Sequence, residues 1–475
     1  MRFTKFGKAL ATCALSASII FGVASCVQSY SVGFLYVTGT VTAQSGNNGI
    51  ITGFKIDHNT GRLAPINGLP VSSGGANPVR AVLTVGSRFL YVLNRGVNAD
   101  GNGICTTTDP CAINGNSTAN IQQFVVGGNG VLTPVGETFY SQGINPFRMI
   151  VDSSGSYLLV LDHDAPDSAS YTGASLPLST PNSCMLALGN TTTSCADVTV
   201  FKIDSTSGRL SLILNEQVTS ASGQAITFFP VPQNPVDFVL SSGYLLTLTG
   251  APAPTSFPYG GGTEVWPYNY SSTSGQLTLS QNGIQVLSIN AGTAIVSAGG
   301  LLYVLDNEPI TVAPQTLFNS TTSPLTFPSQ VLPWSVTAGG GLAAEPSGAV
   351  PDAGSLANPI QLLLESKGKY LYLANQGNNV IGPNPASGIA GYFLSTANGY
   401  QLQFLGDQPF GSGSGPQCIV EDPSDQYIFE ANQYDSTVTG AVLEPDTGDL
   451  IPLRGTATYT LQGPPTWCLV DGRTG

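Results

Sequence analysis

Charged side chains recur at one position of a repeated segment, the second residue after an Asn-Pro dipeptide. Arg80, Arg148 and Asp237 occupy this position in three successive repeats. Two guanidinium groups beside one carboxylate suit an anionic or sugar-like ligand, which they would bind through charge-assisted hydrogen bonds. The alternative is structural: the arginines pair with Asp237 and nearby carbonyl groups and fix the strands that carry them. These three residues are therefore candidate ligand-binding residues.

The elements that must position these side chains are short strands that recur along the chain. Seven apolar segments, each ending in a polar or turn-forming residue, read FLYVTG, FLYVLN, YLLVLD, YLLTLT, LLYVLD, YLYLAN and YIFEAN, from Phe34, Phe89, Tyr157, Tyr244, Leu301, Tyr370 and Tyr427. Hairpins closed by a Ser/Thr-Gly turn follow, as in FKIDHNTGRL from Phe54 and FKIDSTSGRL from Phe201. Short strands repeated at roughly 55 to 90 residues per unit are typical of a β-propeller. We interpret the hairpin aromatics, with Phe124, Trp334 and Tyr392 in the matching places, as core between neighbouring units.

The two ends of the chain complement each other. The repeats begin in mid-unit at Phe34, and the chain ends with PPTWCLVDGRTG, a first strand without its partner. Joined, they make one complete unit, which closes the ring without open sheet edges. We therefore predict an all-β fold: a seven-bladed propeller of four-stranded antiparallel blades, one blade shared between the N- and C-terminal segments. A single domain would cover residues 34–475.

Three long insertions, at 96–119, 163–196 and 305–329, leave the same kind of strand end. They should lie together on one face of the ring. Insertions concentrated on one face can form a binding surface, or they can be tolerated decoration.

The composition excludes some classes of partner. Charged residues make up 9% of the chain, against about 25% in an average soluble domain. Beyond residue 25 there are 12 basic and 28 acidic residues, a net charge of about −16. Nucleic acids and anionic lipid surfaces are bound by Lys/Arg clusters, and this sequence has none.

The N-terminus reads as an export signal. Residues 1–25 carry a basic start, an apolar stretch and small residues before Cys26, which is typical of a signal peptide and too short for a spanning helix. The segment Val23-Ala24-Ser25-Cys26 resembles a bacterial lipobox, whose cysteine is lipidated. This implies an exported lipoprotein with a short tether over 26–33. No aspartate follows Cys26, which favours the outer membrane, with the protein facing the periplasm or the cell surface.

An oxidising compartment makes disulfides expected. Cys105 with Cys111, and Cys184 with Cys195, would each close a long insertion. Cys418 and Cys468 fall at similar places in neighbouring repeats, and the sequence leaves open whether they are bonded or are two buried thiols.

Metal and haem sites are not predicted. There is no C-x-x-C and no histidine near a cysteine. The run Asn98–Gly103 lacks the acidic spacing and the bidentate glutamate of a calcium loop. We therefore expect neither a metal nor a cofactor.

The repeated strand and its D-x-x-T-G-x-L hairpin resemble the lactonase-type seven-bladed propellers, the YVTN-repeat family that includes 6-phosphogluconolactonase. The resemblance covers nearly all of residues 34–471. It implies catalysis by His, Arg and Glu side chains that project into a central channel. At the corresponding place this chain has Arg80, Arg148, Asp237, Gln361, Cys418 and Trp467, with no histidine.

A lactone-opening enzyme needs a base to activate water and a cation for the oxyanion. His163, in the segment LDHD, and Arg148 are the candidates for this pair, whereas His58 lies in a predicted hairpin turn. Three hypotheses remain, one of which is a purely structural component of the cell envelope. The first is a monomeric, lipid-anchored binding module without catalysis, whose partner is a small anionic or sugar-like ligand or an envelope protein. The alternative is a secreted lactonase-like hydrolase with a rearranged site.

Overall fold

The computed structural model describes residues 30–472, except for 45–46, 87, 98–111, 114–115, 118, 169–180, 190–191, 221–222, 251–261, 290, 313–324, 346–348, 379–383 and 396–400. Seven antiparallel sheets form a ring, each with four strands numbered outward from the centre. Blade 1 contains both ends of the described chain, and blades 2 to 7 follow in sequence order. The predicted seven-bladed propeller is confirmed.

The first strands surround the central channel. In blades 1 to 7 they are Pro465–Asp471, Pro78–Leu83, Ile144–Val151, Pro235–Ser241, Gly292–Ala298, Pro359–Leu364 and Pro416–Glu421. The second strands, which carry the repeated motif, are Ser31–Gln44, Phe89–Asn94, Tyr157–Asp164, Tyr244–Thr249, Leu301–Asp306, Tyr370–Asn375 and Tyr427–Asn432.

The outer half of each blade is a shorter hairpin. The third strands are Asn47–Asp57, Asn120–Val126, Ala196–Ile203, Glu264–Tyr270, Gln330–Val336, Gly388–Ser395 and Thr437–Leu443. The fourth strands are Leu63–Pro65, Leu132–Phe139, Leu210–Leu212, Leu277–Leu279, Leu342–Ala344, Gln401–Phe404 and Leu450–Pro452. Five of the third strands also pair with a short additional strand. These additional strands are Val71–Ser72, Phe229–Val231, Gln285–Val286, Val350–Pro351 and Thr458–Thr460.

The insertions add little regular structure. Two small ribbons pair Ala112–Ile113 with Asn116–Ser117, and Ile310–Val312 with Leu325–Phe327. One helical turn and a half covers Ser183–Leu188, and 3₁₀ turns cover Gln281–Gly283 and Ala338–Gly340. None of the helices in the described part of the chain is long and apolar enough to cross a membrane.

Ring closure occurs in blade 1. The C-terminal strand pairs with the N-terminal one in antiparallel register, from Phe34 opposite Asp471 to Gly39 opposite Pro465. This pairing confirms the shared blade. Because the last strand is the innermost of its blade, the ring has no open edge at the seam.

The two repeated sequence motifs contact each other across neighbouring blades. The hydroxyl groups of Tyr36 and Tyr372, third residues of the repeated strand motif, donate to the carbonyl oxygens of Gly130 and Gly448 in the next blade, at 2.8 Å and 2.7 Å. Gly448 has φ +78°, and a Cβ there would lie 2.5 Å from the ring of Tyr370. The turn therefore requires glycine both for its backbone conformation and for its close approach to the neighbouring blade.

The first strands begin in a repeated way. Asn77, Asn145, Asn234 and Asn358 have φ between +53° and +57°, a region that asparagine tolerates better than most residues. After the following proline the register shifts by one residue, as a β-bulge does. Blade 5 starts at Gly292 with the same register shift but no Asn-Pro, so the sequence motif does not mark this strand.

The core lies between adjacent blades. Five of the predicted hairpin aromatics are at most 4% exposed, and Trp334 is half-buried; the five are Phe54, Phe124, Phe201, Tyr268 and Tyr392. Their interpretation as core is confirmed.

Two disulfides are present in the described residues. Cys184–Cys195 closes part of the insertion after the second strand of blade 3, as predicted. Cys418–Cys468 joins the first strands of blades 7 and 1, so the alternative of two buried thiols is wrong. The predicted pair Cys105 and Cys111, and Cys26, lie outside the described residues.

Candidate functional site

A cavity of about 550 Å³ occupies the centre of the ring. All seven first strands contribute to its wall, because each presents the residues that follow its bulge. Arg80, Arg148 and Asp237 all lie on this wall. Asn307, which follows the second strand of blade 5, and Asn358, which precedes the first strand of blade 6, also line the cavity, on the face from which the insertions leave.

Arg148 and Asp237 form an ion pair between blades 3 and 4. Arg148 Nε lies 3.2 Å from Asp237 Oδ1, and their side chains are 28% and 14% exposed. Asp237 Oδ2 also accepts the backbone N–H of Ile295 in blade 5 at 3.1 Å. The structural role considered for these residues is therefore present in part, because the carboxylate of Asp237 connects three blades.

Arg80 is held differently. Its guanidinium lies over the ring of Trp467, with Cζ 3.5 Å from the ring centroid, which is a close cation–π contact. Burial, followed by the charge of Arg148, lowers the pKa of Arg80 to about 9, against an opposing effect of Asp237. Arg80 thus remains charged at neutral pH next to a second cation, which is unfavourable unless an anion is near.

Arg95 is a third cation near this site, and sequence reasoning missed it. It directly follows the second strand of blade 2, on the face from which the insertions leave. Its Nε is buried and has no hydrogen-bond partner among the described residues. Burial and then the charge of Arg148 lower its pKa. The signal in the sequence was a lone arginine after the polar end of FLYVLN, where the other repeats carry Thr40, His163, Gly250, Asn307, Gln376 and Gln433.

His163 stacks on Phe147, with ring centroids 4.0 Å apart and planes at 18°. Burial, and then the charges of Arg95 and Arg148, lower the pKa of His163 to about 4. The imidazole is therefore neutral at neutral pH and a weak base. Arg148, the other member of the candidate catalytic pair, already donates to Asp237 and to the carbonyl of Phe147.

The opposite side of the cavity, in blades 5 to 7, carries amides. Gln361 bonds both backbone groups of Ile419 in the next blade, accepting from its N–H at 3.0 Å and donating to its C=O at 3.4 Å. At the mouth, Asn358 donates to Gln376, which donates to Gln417 at 2.8 Å. These amides offer neutral donors and acceptors suited to hydroxyl groups.

Beyond the level of polar side chains, the channel has a level of aliphatic side chains. The residues four positions after Pro78, Pro146, Pro235 and Gly292 line the same cavity; they are Val82, Ile150, Val239 and Val296. Two residues along a strand correspond to roughly 6.6 Å, so charge is confined to one level of the channel. A ligand would therefore meet polar groups at the insertion face and apolar groups beyond them.

Among the residues that the structure describes, no group of three or more His, Cys, Asp or Glu side chains is placed to hold a metal ion. The segment Asn98–Gly103 lies outside those residues.

Comparison with solved structures identifies the fold. A Bacteroides fragilis protein, provisionally assigned as a 6-phosphogluconolactonase, has a TM-score of 0.58 at 15% identity, over 93% of this chain and 98% of its own. The periplasmic gluconolactonase of Pseudomonas aeruginosa has a TM-score of 0.58 at 14% identity, over 92% of this chain and 99% of its own. No family profile and no curated protein matches the sequence.

In fold, the chain is therefore a lactonase-like seven-bladed β-propeller. Identities of 14–15% establish the architecture alone, so the chemistry of the channel has to be argued from the residues of this chain.

Proposed function

We propose that this protein is an exported, lipid-anchored propeller that binds a small anionic, sugar-like ligand in its central channel and does not turn it over. The observation that carries the proposal is the set of guanidinium groups around the channel mouth. Arg80 has no hydrogen bond from its guanidinium in the described part of the chain and Arg95 Nε is buried without a partner, while Asp237 is shared by Arg148 and Ile295. An anion would supply the missing acceptors.

The distribution of polar groups supports a particular ligand chemistry. Cations lie in blades 2 and 3, and amides such as Gln417 and Asn358 lie across the cavity in blades 7 and 6. A compact molecule with an acidic group at one end and hydroxyl groups at the other fits this division. A cavity of about 550 Å³ lies within the range of roughly 300–1,000 Å³ that is common for small-molecule sites.

Binding is favoured over the alternative, lactone hydrolysis by His163 and Arg148. A general base works best when its pKa lies near the working pH, and the pKa of His163 is lowered to about 4. Arg148 is engaged by Asp237. These features support a binding module without catalysis.

Export is supported by the signal sequence, the lipobox and the disulfides, which persist in oxidising compartments. The Pseudomonas aeruginosa protein of similar fold is periplasmic. Cys26→Ala should release the protein from membranes, and mass spectrometry of the wild type should find acyl chains on Cys26. An unmodified Cys26 on a protein that still sediments with membranes would contradict the anchor.

The binding proposal is tested by calorimetric titration with D-galacturonate, D-galactose and sulfate. Galacturonate should bind, and the uncharged galactose at least ten-fold more weakly. Arg95→Gln should weaken galacturonate binding roughly 10- to 150-fold, since a hydrogen bond to a charged group contributes about 1.5–3 kcal/mol. Arg88→Gln is the matched control, because Arg88 is exposed at the turn between the first two strands of blade 2. Equal affinity of wild type and Arg95→Gln for both anions would contradict the proposal.

A further inference from the structure

Two buried aspartates face each other in blade 3, outside the channel. Asp162, in the second strand, stands directly opposite Asp197, in the third. Both side chains are fully buried. They lie at the point where the insertion 163–196 leaves and re-enters the blade.

Among the described residues, too few hydrogen-bond donors face the two carboxyl groups of this pair. Asp162 accepts from Ser141 Oγ at 2.7 Å and from the backbone N–H of Gly143. The hydroxyl of Thr199 lies 3.4 Å from each carboxylate, but it has one proton and can donate to one of them. Asp197 Oδ1 has no hydrogen-bond partner among the described residues.

The corresponding positions in blades 2, 5 and 7 each contain a side-chain donor. In blade 2, Asn94 Nδ2 donates to Asn120 Oδ1 at 2.9 Å. In blade 5, Gln330 Nε2 donates to Asp306 Oδ2 at 2.7 Å. In blade 7, Asn432 Nδ2 donates to the hydroxyl of Thr437. In blade 3 both positions are carboxyl groups, so a hydrogen bond between the two side chains needs a bound proton.

We propose that Asp162 and Asp197 share one proton in the native protein, and that loss of this proton as the pH rises loosens the base of the insertion 163–196. The acidic form has one carboxyl O–H donating to the opposing carboxylate. Deprotonation by hydroxide leaves two negative charges in contact in a buried site, which is strongly unfavourable.

Among the described residues, no basic side chain contributes to the charge around the pair. The preceding segment presents Ser141 and Gly143, and the third strand presents Thr199. The other ionisable groups that act on the pair, Asp164 and Asp167, are acidic. Burial, then the charge of Asp162, then those of Asp164 and Asp167, raise the pKa of Asp197 well above its ordinary value. Burial, followed by the charge of Asp164, does the same for Asp162.

The pair is connected to both the insertion and the channel. Asp167 accepts hydrogen bonds from the backbone N–H and hydroxyl of Ser183, which begins the helix in the insertion. Cys195, bonded to Cys184, lies two residues before Asp197. On the other side, His163 follows Asp162 directly and stacks on Phe147. Opening of these strand ends would therefore disturb the insertion first and the residues beside Arg148 next.

The sign of the pH effect follows from the raised pKa. The native state keeps a proton that the unfolded chain releases above about pH 4. The stabilisation that the pair contributes is therefore fully present below that pH. It is then lost as the pH rises through the raised pKa of the pair. The logarithm of the unfolding equilibrium constant should rise with pH, and the pair should account for a slope of about one proton.

Asp197→Asn tests the proposal, because it supplies an amide donor in the same shape, as in blade 5. A larger residue would not fit, since Asp197 Oδ1 already lies against Gly143. In urea unfolding between pH 5 and 9, the logarithm of the unfolding equilibrium constant of Asp197→Asn should rise with pH less steeply than that of the wild type, by about one proton. Glu137→Gln is the control: it removes one exposed carboxylate that pairs with Arg209, and its slope should match the wild type.

Hydrogen exchange separates a shared proton from a merely local packing effect. In the wild type, amide protection at 163–168 and 192–196 should fall with pH beyond the intrinsic rate increase, and in Asp197→Asn it should not. An unchanged slope in Asp197→Asn, or pH-independent protection in the wild type, would overturn the proposal. If Asp197→Asn does not fold, Asp162→Asn serves instead. The wild type alone also tests the proposal: absence of a protonated carboxyl band from its infrared spectrum at neutral pH would overturn the shared proton.

Discussion

The two sides of the channel use one structural position for different purposes. In blades 6 and 7, the second residue after the strand start is Gln361 or Cys418, and each is bonded to the first strand of the next blade. In blades 2 and 3 it is Arg80 or Arg148. Arg148 also reaches its neighbour, through Asp237, but Arg80 contacts a ring, and its guanidinium N–H groups have no acceptor among the described residues.

This difference separates polar groups that are hydrogen-bonded within the protein from polar groups that remain available to a ligand. A buried polar group that is fully hydrogen-bonded within the protein contributes to stability and has little left to offer a ligand. A buried guanidinium without acceptors costs stability, and a ligand can recover that cost. Position and residue type alone do not distinguish these cases; the partners do.

The largest effect is expected on the structural side. Deleting residues 464–475 removes the first strand of blade 1 and, with it, Cys468 and Trp467. Burial of the side chains of one such strand contributes several kcal/mol, comparable with a total stability of about 5–15 kcal/mol. The truncated protein should aggregate or melt far below the wild type in calorimetry. Deletion of 473–475 alone should have little effect, and an unchanged melting temperature after the longer deletion would refute closure through the shared blade.

An intermediate effect is expected from the disulfide between blades 7 and 1. Cys418→Ala with Cys468→Ala should lower the free energy of unfolding by about 2–4 kcal/mol, because the bond closes a long loop in the unfolded chain. The separation is 50 residues, against 11 for Cys184–Cys195, so the matched double variant of the second pair should lose less. Urea denaturation measures both. Weaker galacturonate binding without Cys418 and Cys468 would show that the two sides are not independent.

The smallest and most discriminating effect compares Gln361 with Arg80. Gln361→Ala leaves the backbone groups of Ile419 without partners and should cost about 1–3 kcal/mol of stability, with galacturonate affinity nearly unchanged. Arg80→Gln should change stability by less than about 0.5 kcal/mol, because the lost contact with Trp467 is offset by relief of repulsion from Arg148, yet weaken binding about ten-fold. The reverse pattern, stability lost with Arg80 and affinity lost with Gln361, would contradict this account.

Much of the fold could be predicted because its signals are local and repeated. The strand motif and the Ser/Thr-Gly hairpin each encode one element, and seven copies left little ambiguity in blade number. The first strand of blade 5 was not marked because Gly292 replaces the Asn-Pro start, although the bulge itself is retained. A backbone conformation can be reached by more than one residue type, so its sequence signal can be lost while the structure remains.

The site could be predicted in part. The common register of Arg80, Arg148 and Asp237 follows from the repeats, and the structure places all three on one cavity wall. Arg95 was missed because it lies outside the first strands, in a different part of the repeat. Its proximity to the site depends on how the second strand ends relative to the neighbouring blade.

The sequence by itself determined the architecture: the repeated strands, the turn glycines and the complementary chain ends specify a closed ring through local propensity and side-chain periodicity. Tertiary structure alone decided which polar groups meet. The bond between Cys418 and Cys468, the pairing of Arg148 with Asp237 and the placement of Asp162 opposite Asp197 all involve residues distant in sequence. Their chemistry depends on distances of a few ångströms and on exclusion of water, which arise when the blades pack and which no local pattern encodes.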